Sequence, residues 1–339
     1  MNLTNAVLTL TNGVRLATYG SVGINLRSGA VVRSGGSPNR MNWLTRLALV
    51  QEGTTAEPLN APILSSLGGS TAPRAELRFT GVGAAAEVTG RRQLIAMSGS
   101  VVANWIMKDS ALWNVWHGAF AYTSGQSVTL ENNRWHRGTV EFYQPNLTGY
   151  FPLTLNAYNN LWLGGVAKLG SDFAGYWTLR DNLFDGASTQ FSGGTSWSVS
   201  DNAYLGASSL GGGGNVTLTV SEHLTGPLGT NYYPSAGSSP SGFTNLVGAG
   251  YRTGVTAGLF HHVIATNLVP NGANLVGIGF HHLRTTTAGV PIDTDGDGIP
   301  DWMEDVNGDG SVQAASETAW DVSDGAGAGA VRLVVFRNP

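Results

Sequence analysis

The chain contains no cysteine. A disulfide framework, a thiolate metal site and a thiol nucleophile are therefore all excluded, in a composition that suits the cytosol or a bacterial secreted protein equally. Charge is also scarce, at 12% of residues against about 25% in an ordinary soluble domain. With 22 acidic and 18 basic residues there is no basic excess of the kind that marks a nucleic-acid surface. No apolar run is long enough to cross a bilayer as a helix. Amphipathic runs of about twelve residues with a 3.6 period are missing as well, so long helices are not expected. Met1 is followed by "NLTNAVLTLTNG", which lacks a basic n-region and a long apolar h-region. If the protein is exported, its signal lies outside this chain, and a fragment of a larger protein is expected.

What the chain does have is glycine, 48 of 339 residues, about twice the usual share. Short Val, Leu and Thr runs alternate with Gly and Asn clusters, a pattern that suits all-β structure with many turns.

Four segments follow one pattern: "VTLENNRWHRG" from Val128, "LNAYNNLWLGG" from Leu155, "WTLRDNLFDG" from Trp177 and "WSVSDNAYLG" from Trp197. Each opens as a half-buried strand, turns at a pair of Asn or Asp residues and resumes with an aromatic. Repetition on this scale marks a solenoid. Stacked at the ~4.8 Å strand spacing, the coils bring Asn133, Asn160, Asn182 and Asn202 into one inward column and Trp135, Trp162, Phe184 and Tyr204 into another. Arg134 is expected to face water. Strand-like runs near Ala6, Val14, Ile24, Leu47 and Ala75 extend the solenoid upstream. The Pro-, Ser- and Gly-rich stretch from Thr54 to Pro73 reads as a protruding loop, and the stretch from Gly226 as irregular. "AGLFHHVIATN" at Ala257 and "VGIGFHHL" at Val276 echo each other, each placing an aromatic before a His pair. Neighbouring histidines on a strand face opposite ways, which favours packing over a metal site.

The acidic residues are unevenly placed. "DTDGDGIPDWMEDVNGDG", from Asp293 to Gly310, holds seven of the 22, leaving 15 acidic against 18 basic residues elsewhere. Asp293, Asp295, Asp297, Asp301 and Glu304 fall at positions 1, 3, 5, 9 and 12, with Gly298 at 6, the spacing of an EF-hand calcium loop. Ile299 at position 7 would lend its carbonyl. A second loop begins at Asp305 with Asn307 and Asp309, but its twelfth position is Ser316, which predicts a weaker site. Hard oxygen donors favour Ca²⁺. The plain alternative is a solvated acidic linker. Pro300 departs from the EF-hand and brings the motif closer to thrombospondin type 3 calcium repeats.

Taken in order, "LTLTNGVRLATYG", "NRMNWLTRLALVQE", "LRDNLFDG", "GPLGTNYYP", "AGLFHHVIATN", "VGIGFHHL" and the acidic block resemble segments of very large secreted bacterial proteins. Those proteins join a right-handed parallel β-helix of the pectin-lyase-like type to calcium loops. The resemblance implies a β-helix over 1–290, a calcium segment over 291–320 and a tail over 321–339 that forms a possible strand. It also implies an extracellular or cell-surface setting.

Because the fold is shared with polysaccharide lyases and glycoside hydrolases, Asp181 and Asp201 are the catalytic candidates. They fall in one column on adjacent coils, at a spacing that suits a retaining carboxylate pair. The bland reading makes them corner residues, like Asn132 and Asn159. No G-x-S-x-G elbow or nucleotide fingerprint is found. The sequence thus points to a structural or adhesive solenoid with a calcium-ordered end. The rival is a polysaccharide-degrading enzyme or carbohydrate-binding module, whose mark would be a groove with exposed aromatics. Polysaccharide or cell-surface components are the expected partners, without nucleic acid, and uncapped ends allow end-to-end self-association.

Overall fold

The structure is a computed structural model. It describes residues 1–19, 22–47, 62–84, 93–97, 104–114, 116–120, 126–144, 153–171, 177–192, 197–221, 223–227, 233–234, 243–313 and 316–323. Its body is a parallel β-solenoid with three strands per coil. The first sheet has eight strands, the second eight and the third nine, and within each the order follows the chain coil by coil. Coils 1 to 8 span 2–19, 24–47, 64–84, 93–113, 116–136, 139–163, 166–185 and 188–205, and Val216–Thr217 adds a last strand to the third sheet. No described helix is long and apolar enough to cross a membrane; the two α-helices have four residues each.

Register is set by what points inward, since a one-residue slip would turn each strand's apolar set to solvent. In the second sheet Val32, Ala75, Trp105, Val128, Leu155 and Trp177 are successive partners, and all are buried. In the third, Trp135 pairs with Trp162, Trp162 with Phe184 and Phe184 with Tyr204. Their rings stack at 4.9, 5.7 and 5.4 Å with planes within 9° of parallel. They are 0 to 4% exposed, so they form core and not a ligand platform. Each stacked pair adds roughly 0.5–1.5 kcal/mol beyond its buried area.

The asparagine column exists and is longer than the repeat implies. Asn133 N–H and Nδ2 both donate to Asn160 Oδ1, Asn160 does the same to Asn182, and Asn182 to Asn202. Ser110 and Thr80 carry it toward coil 3, and Asn215 closes it beyond coil 8. Each amide thus satisfies the backbone of the neighbouring coil at a corner where the strand ladder breaks.

Two expectations need correction. The strand Leu64–Gly68 lies inside the stretch read as a protruding loop, because Ile63, Leu64, Ser65 and Ser66 are buried beneath neighbouring coils; 48–61 lie outside the described residues. The parallel coils end at Thr217, and 243–292 folds as a separate layer on the outside of the solenoid, with an antiparallel pair His262–Val263 and His282–Leu283. Residues 324–339, where a tail strand was expected, lie outside the described residues.

Candidate functional site

The outer layer is held at the corner residues Asp109, Asn132, Asn159 and Asp181. Asp109, Asn132, Asn159, Asp181 and Asp201 all take left-handed backbone at φ between 52° and 60°, a conformation Asn and Asp tolerate better than other side-chain-bearing residues. Their side chains point away from the core. Asn132 Nδ2 donates to the His281 carbonyl, and the His281 N–H donates back to Asn132 Oδ1. Asn159 Nδ2 donates to the Gly277 carbonyl and accepts at Oδ1 from Arg252. Asp181 Oδ1 accepts the Tyr251 N–H at 2.6 Å, and Arg252 Nε lies 3.5 Å from its other oxygen. Leu161, Leu183 and Ala203 of the third sheet pack beneath Leu246, Ile278 and Phe280. Arg134, expected in water, is 8% exposed, with its guanidinium 4.9 Å from the Phe280 ring centre. The outer layer covers it, a contact invisible to strand alternation within one coil.

This arrangement bears on the two catalytic candidates. Asp181 is 0% exposed. Burial raises its carboxyl above the ordinary value, opposed by the Tyr251 amide and Arg252. Asp201 sits one coil along and is partly exposed; its carbonyl accepts the Asp181 N–H. The two stand in one column, but the carboxylate of Asp181 is sealed beneath Tyr251 and Arg252. The four histidines are buried too. His262 lies 3.3 Å from Asp109, His281 on Asn271 and the Gly277 carbonyl, and His282 edge-on to Phe280. Burial alone would raise Asp109; His262, Arg78 and Lys108 around it reverse that and hold it below the ordinary carboxylate range.

The acidic block follows this layer and folds back onto it. Asp293, Asp295 and Asp297 converge, each offering a carboxylate oxygen within 4.8 Å of the others. Local geometry explains the convergence. Asp293 accepts the Gly296 and Gly298 amides, Asp295 that of Asp297, and Asp297 that of Ile299. Gly296 and Gly298 take φ of 74° and 96°, which let the chain turn this tightly. Both oxygens of Asp293 accept an amide, while Asp295 and Asp297 each keep one oxygen outside these bonds. Oδ2 of Asp295 and Oδ2 of Asp297 are buried without a hydrogen-bond partner, and Asp297 is only 9% exposed. Desolvation, with the neighbouring Asp297 and Asp293 charges, raises the Asp295 carboxyl. Unpartnered anionic oxygens facing one another are unfavourable unless a cation joins them. This triad can bind a metal ion.

The remaining candidates have other partners. Asp301 accepts from Thr294 N–H and Oγ1 at 2.6 and 2.8 Å, and Glu304 accepts from Thr318 Oγ1. Ile299 enters the first loop through its N–H. In the second loop Asp305 receives the amides of Gly308, Asp309 and Gly310, and its Oδ2 lies 2.9 Å from His261 Nε2. Burial opposes the ionised form of Asp305; His261 and these amides outweigh it and lower the carboxyl. Asn307 and Asp309 bond each other, and Glu317 accepts the amides of Asn307 and Gln313. An acid therefore closes the second loop one residue later than Ser316, where the spacing had placed the closing position. Reading 12-residue registers alone misses it.

The block and the segment after it are both anchored. Arg78 Nη1 donates to the Val306 carbonyl, Trp302 packs edge-on to Phe79 at 5.0 Å, and Trp320 packs edge-on to His261. No family model matches the chain, no curated protein matches it in sequence, and no solved structure matches it in fold.

Proposed function

We propose that this chain is a structural or adhesive segment of a secreted or cell-surface solenoid whose C-terminal segment is ordered by Ca²⁺. The observation that carries the calcium half is the pair of buried, unpartnered oxygens on Asp295 and Asp297, facing Asp293 in a loop of EF-hand spacing. Three carboxylates offer hard oxygen donors, which suit Ca²⁺ or Mg²⁺ over softer metals. The EF-hand-like spacing favours Ca²⁺, since Mg²⁺ is usually held by one or two carboxylates with several waters. The ion's role would be mechanical. The loop is tied to the outer layer through Asp305 and His261 and to the solenoid through Arg78, Phe79 and Trp302. Binding would stabilise that junction by mass action, about 2.7 kcal/mol when the ion stands at a hundred times its Kd.

The structural or adhesive half rests on the architecture. The Asn column and stacked rings occupy the interior, the outer layer seals Asp181, and the design is that of a stiff rod. The test is limited proteolysis with and without EDTA. Chelation should expose sites after Ile292 while the β-sheet circular dichroism of the coils stays unchanged, and calcium but not magnesium at equal concentration should restore protection. Identical cleavage patterns in EDTA and in excess calcium would overturn the calcium assignment.

A further inference from the structure

The outer layer covers only part of the third sheet. First-position residues such as Leu161 and Leu183 lie beneath it, whereas Trp113, His136 and Leu163 at the third position are partly exposed. At the edge of this open strip Trp43, which the register places in the first-position column opposite Gly81, stacks diagonally on Trp113 at 5.0 Å, and Trp113 stacks on His136 at 5.2 Å with planes 6° apart. Trp43 belongs to coil 2 and Trp113 to coil 4, two residues farther along the register, so their backbones stand more than about 9.6 Å apart, twice the strand spacing. Their rings touch only because both lean over coil 3. That coil presents Gly81 opposite Trp43, and a Cβ there would lie 2.6 Å from the indole. The notch in coil 3 thus builds the platform.

Beside the platform a cleft of about 690 Å³ opens between Trp113, Asn114, His136, Arg137, Leu163 and Gly164, a volume within the ordinary range for a ligand site. The corner that follows each third-sheet strand needs left-handed backbone. Coils 6, 7 and 8 meet this with Gly164, Gly186 and Gly206, whereas coils 4 and 5 place Asn114 at φ 52° and Arg137 at φ 49°. An arginine held there costs about 1–2 kcal/mol, and such strain concentrates at functional positions. Arg137 is exposed, and among the described residues no carboxylate pairs with it. Asp185, the nearest acid in the outward column, is already held by His223 and Ser221 at 2.6 Å each. Outside the acidic block the chain has 15 acidic and 18 basic residues, so the chain's negative excess lies in that block.

We propose that the strip from Trp43 through Trp113 and His136 to Arg137 is a glycan-binding surface that takes an anionic polysaccharide. The apolar face of a sugar ring would lie on the stacked rings, while its carboxylate or sulfate meets the Arg137 guanidinium in the planar, two-pronged geometry that arginine offers. Asn114 supplies amide donors and acceptors to hydroxyls at the rim. Burial, with the charges of Arg134, Arg137 and His223, lowers His136 to about 4, so at neutral pH it serves as a flat uncharged ring and Arg137 alone carries the cleft's charge. The assignment rests on the adhesive half of the function proposed above and gives it a ligand class.

The test is calorimetric titration of the full chain with a uronate polymer, a sulfated polymer, neutral dextran and oligothymidine, each in calcium and in EDTA. The wild type should bind one or both anionic polymers and bind dextran at least tenfold more weakly. Trp113→Ala should weaken the anionic polymer at least tenfold. Arg137→Gly should weaken it by about tenfold while leaving the melting temperature equal or higher, because glycine suits that backbone. Whether the uronate or the sulfated polymer prevails identifies the anion. Binding in EDTA should be unchanged, since coils 2 to 6 carry the strip, so loss of the calcium staple and loss of the glycan site give separate readouts. No binding of either anionic polymer, wild-type affinity in both variants, or oligothymidine binding with equal strength and the same sensitivity would each overturn the assignment.

Discussion

Asn133 and Asn160 are 27 residues apart in the chain and one coil apart in space, and a single oxygen, Oδ1 of Asn160, accepts both the N–H and the Nδ2 of Asn133 at 3.0 Å. Asn160 in turn donates Nδ2 to the Leu130 carbonyl and to Asn182. All of these groups are buried. Removing the side chain therefore leaves the Asn133 backbone amide and one of its two Nδ2 hydrogens unpaired, the other staying on the Met107 carbonyl, and takes a donor from the Leu130 carbonyl.

Asn160→Ala should be among the most destabilising single substitutions in the solenoid. Each buried polar group left unpaired costs about 1–3 kcal/mol, so a loss of roughly 3–5 kcal/mol is expected from three of them. Asn156→Ala, on the outer face of the same coil, should change stability by no more than about 0.5 kcal/mol. Urea unfolding of the two variants compares them directly. Similar midpoints would mean that the column follows the fold and does not hold it.

Arg252 reaches two coils, donating to Asn159 Oδ1 at 2.7 Å, standing 3.5 Å from Asp181 and lying 4.0 Å over the Tyr158 ring. Arg252→Ala should loosen 243–292 from the solenoid and leave Asp181 buried without its cation, a loss on the order of 3–5 kcal/mol. Lysine should rescue little, because an ammonium cannot reproduce the planar contacts. Asp181→Asn should be milder, since its amide oxygen still accepts the Tyr251 N–H. Hydrogen exchange at the amides of Tyr251, Val276 and Gly279 reports this docking. Unchanged protection in Arg252→Ala is the result that removes Arg252 from the role of clamp.

Asp297→Asn keeps the size of the side chain and its bond to the Ile299 amide, but removes one charge from the triad. Without added calcium the variant should melt no lower than the wild type, and slightly higher if repulsion dominates. With millimolar calcium the order should reverse, because the wild type gains from binding and the variant gains less. Differential scanning calorimetry in the two buffers gives the crossing directly. Parallel curves in both buffers would point away from Asp297 as a ligand.

Much of the interior could be read from the residues because it repeats. The Asn and aromatic columns depend on contacts between copies of one pattern, so spacing alone aligned Asn133 with Asn160 and Trp135 with Trp162. What lay beyond the repeat was harder to read. Arg134 was assigned to water because alternation describes one coil and says nothing of a later segment folding over it. The clamp residues Asn132, Asn159 and Asp181 looked like corner residues, which they are; their second bonds depend on a partner about 70 to 150 residues away. In the calcium segment Asp293, Asp295 and Asp297 followed from loop chemistry, while Glu317 fell one position outside the register. The Trp43 and Trp113 contact spans two coils. Its only trace in sequence is "TGVG" at Thr80, where glycines replace outward side chains on coil 3.

Acid should release the outer layer before it unfolds the coils, through His281. That ring is fully buried, with Nδ1 facing the Asn271 amide nitrogen at 3.0 Å and Nε2 facing the Gly277 carbonyl at 3.1 Å. The pairing fits the neutral tautomer with the proton on Nε2; a second proton on Nδ1 would meet an N–H donor. Burial is the main cause of its lowering to about 3, with His262 and Arg252 adding to it and the Gly277 bond opposing. Unfolded histidine titrates near 6.5. Above pH 6.5 both states are neutral and this group adds no pH dependence. Below it the unfolded state takes up a proton that the folded state refuses, so stability falls with acidification until about pH 3, by at most about 1.4 kcal/mol per unit. The clean window is pH 6.5 to 4.5, before most carboxylates protonate. His136 and His262 are also lowered by burial and contribute slopes of the same sign, so the decisive comparison is with His281→Gln, which keeps an amide donor and acceptor but cannot titrate. Over that window the wild type should lose stability more steeply than the variant, by close to one proton's worth of slope in urea unfolding at stepped pH. Equal slopes in the two proteins would show that His281 enters the folded state already protonated or is reached by solvent.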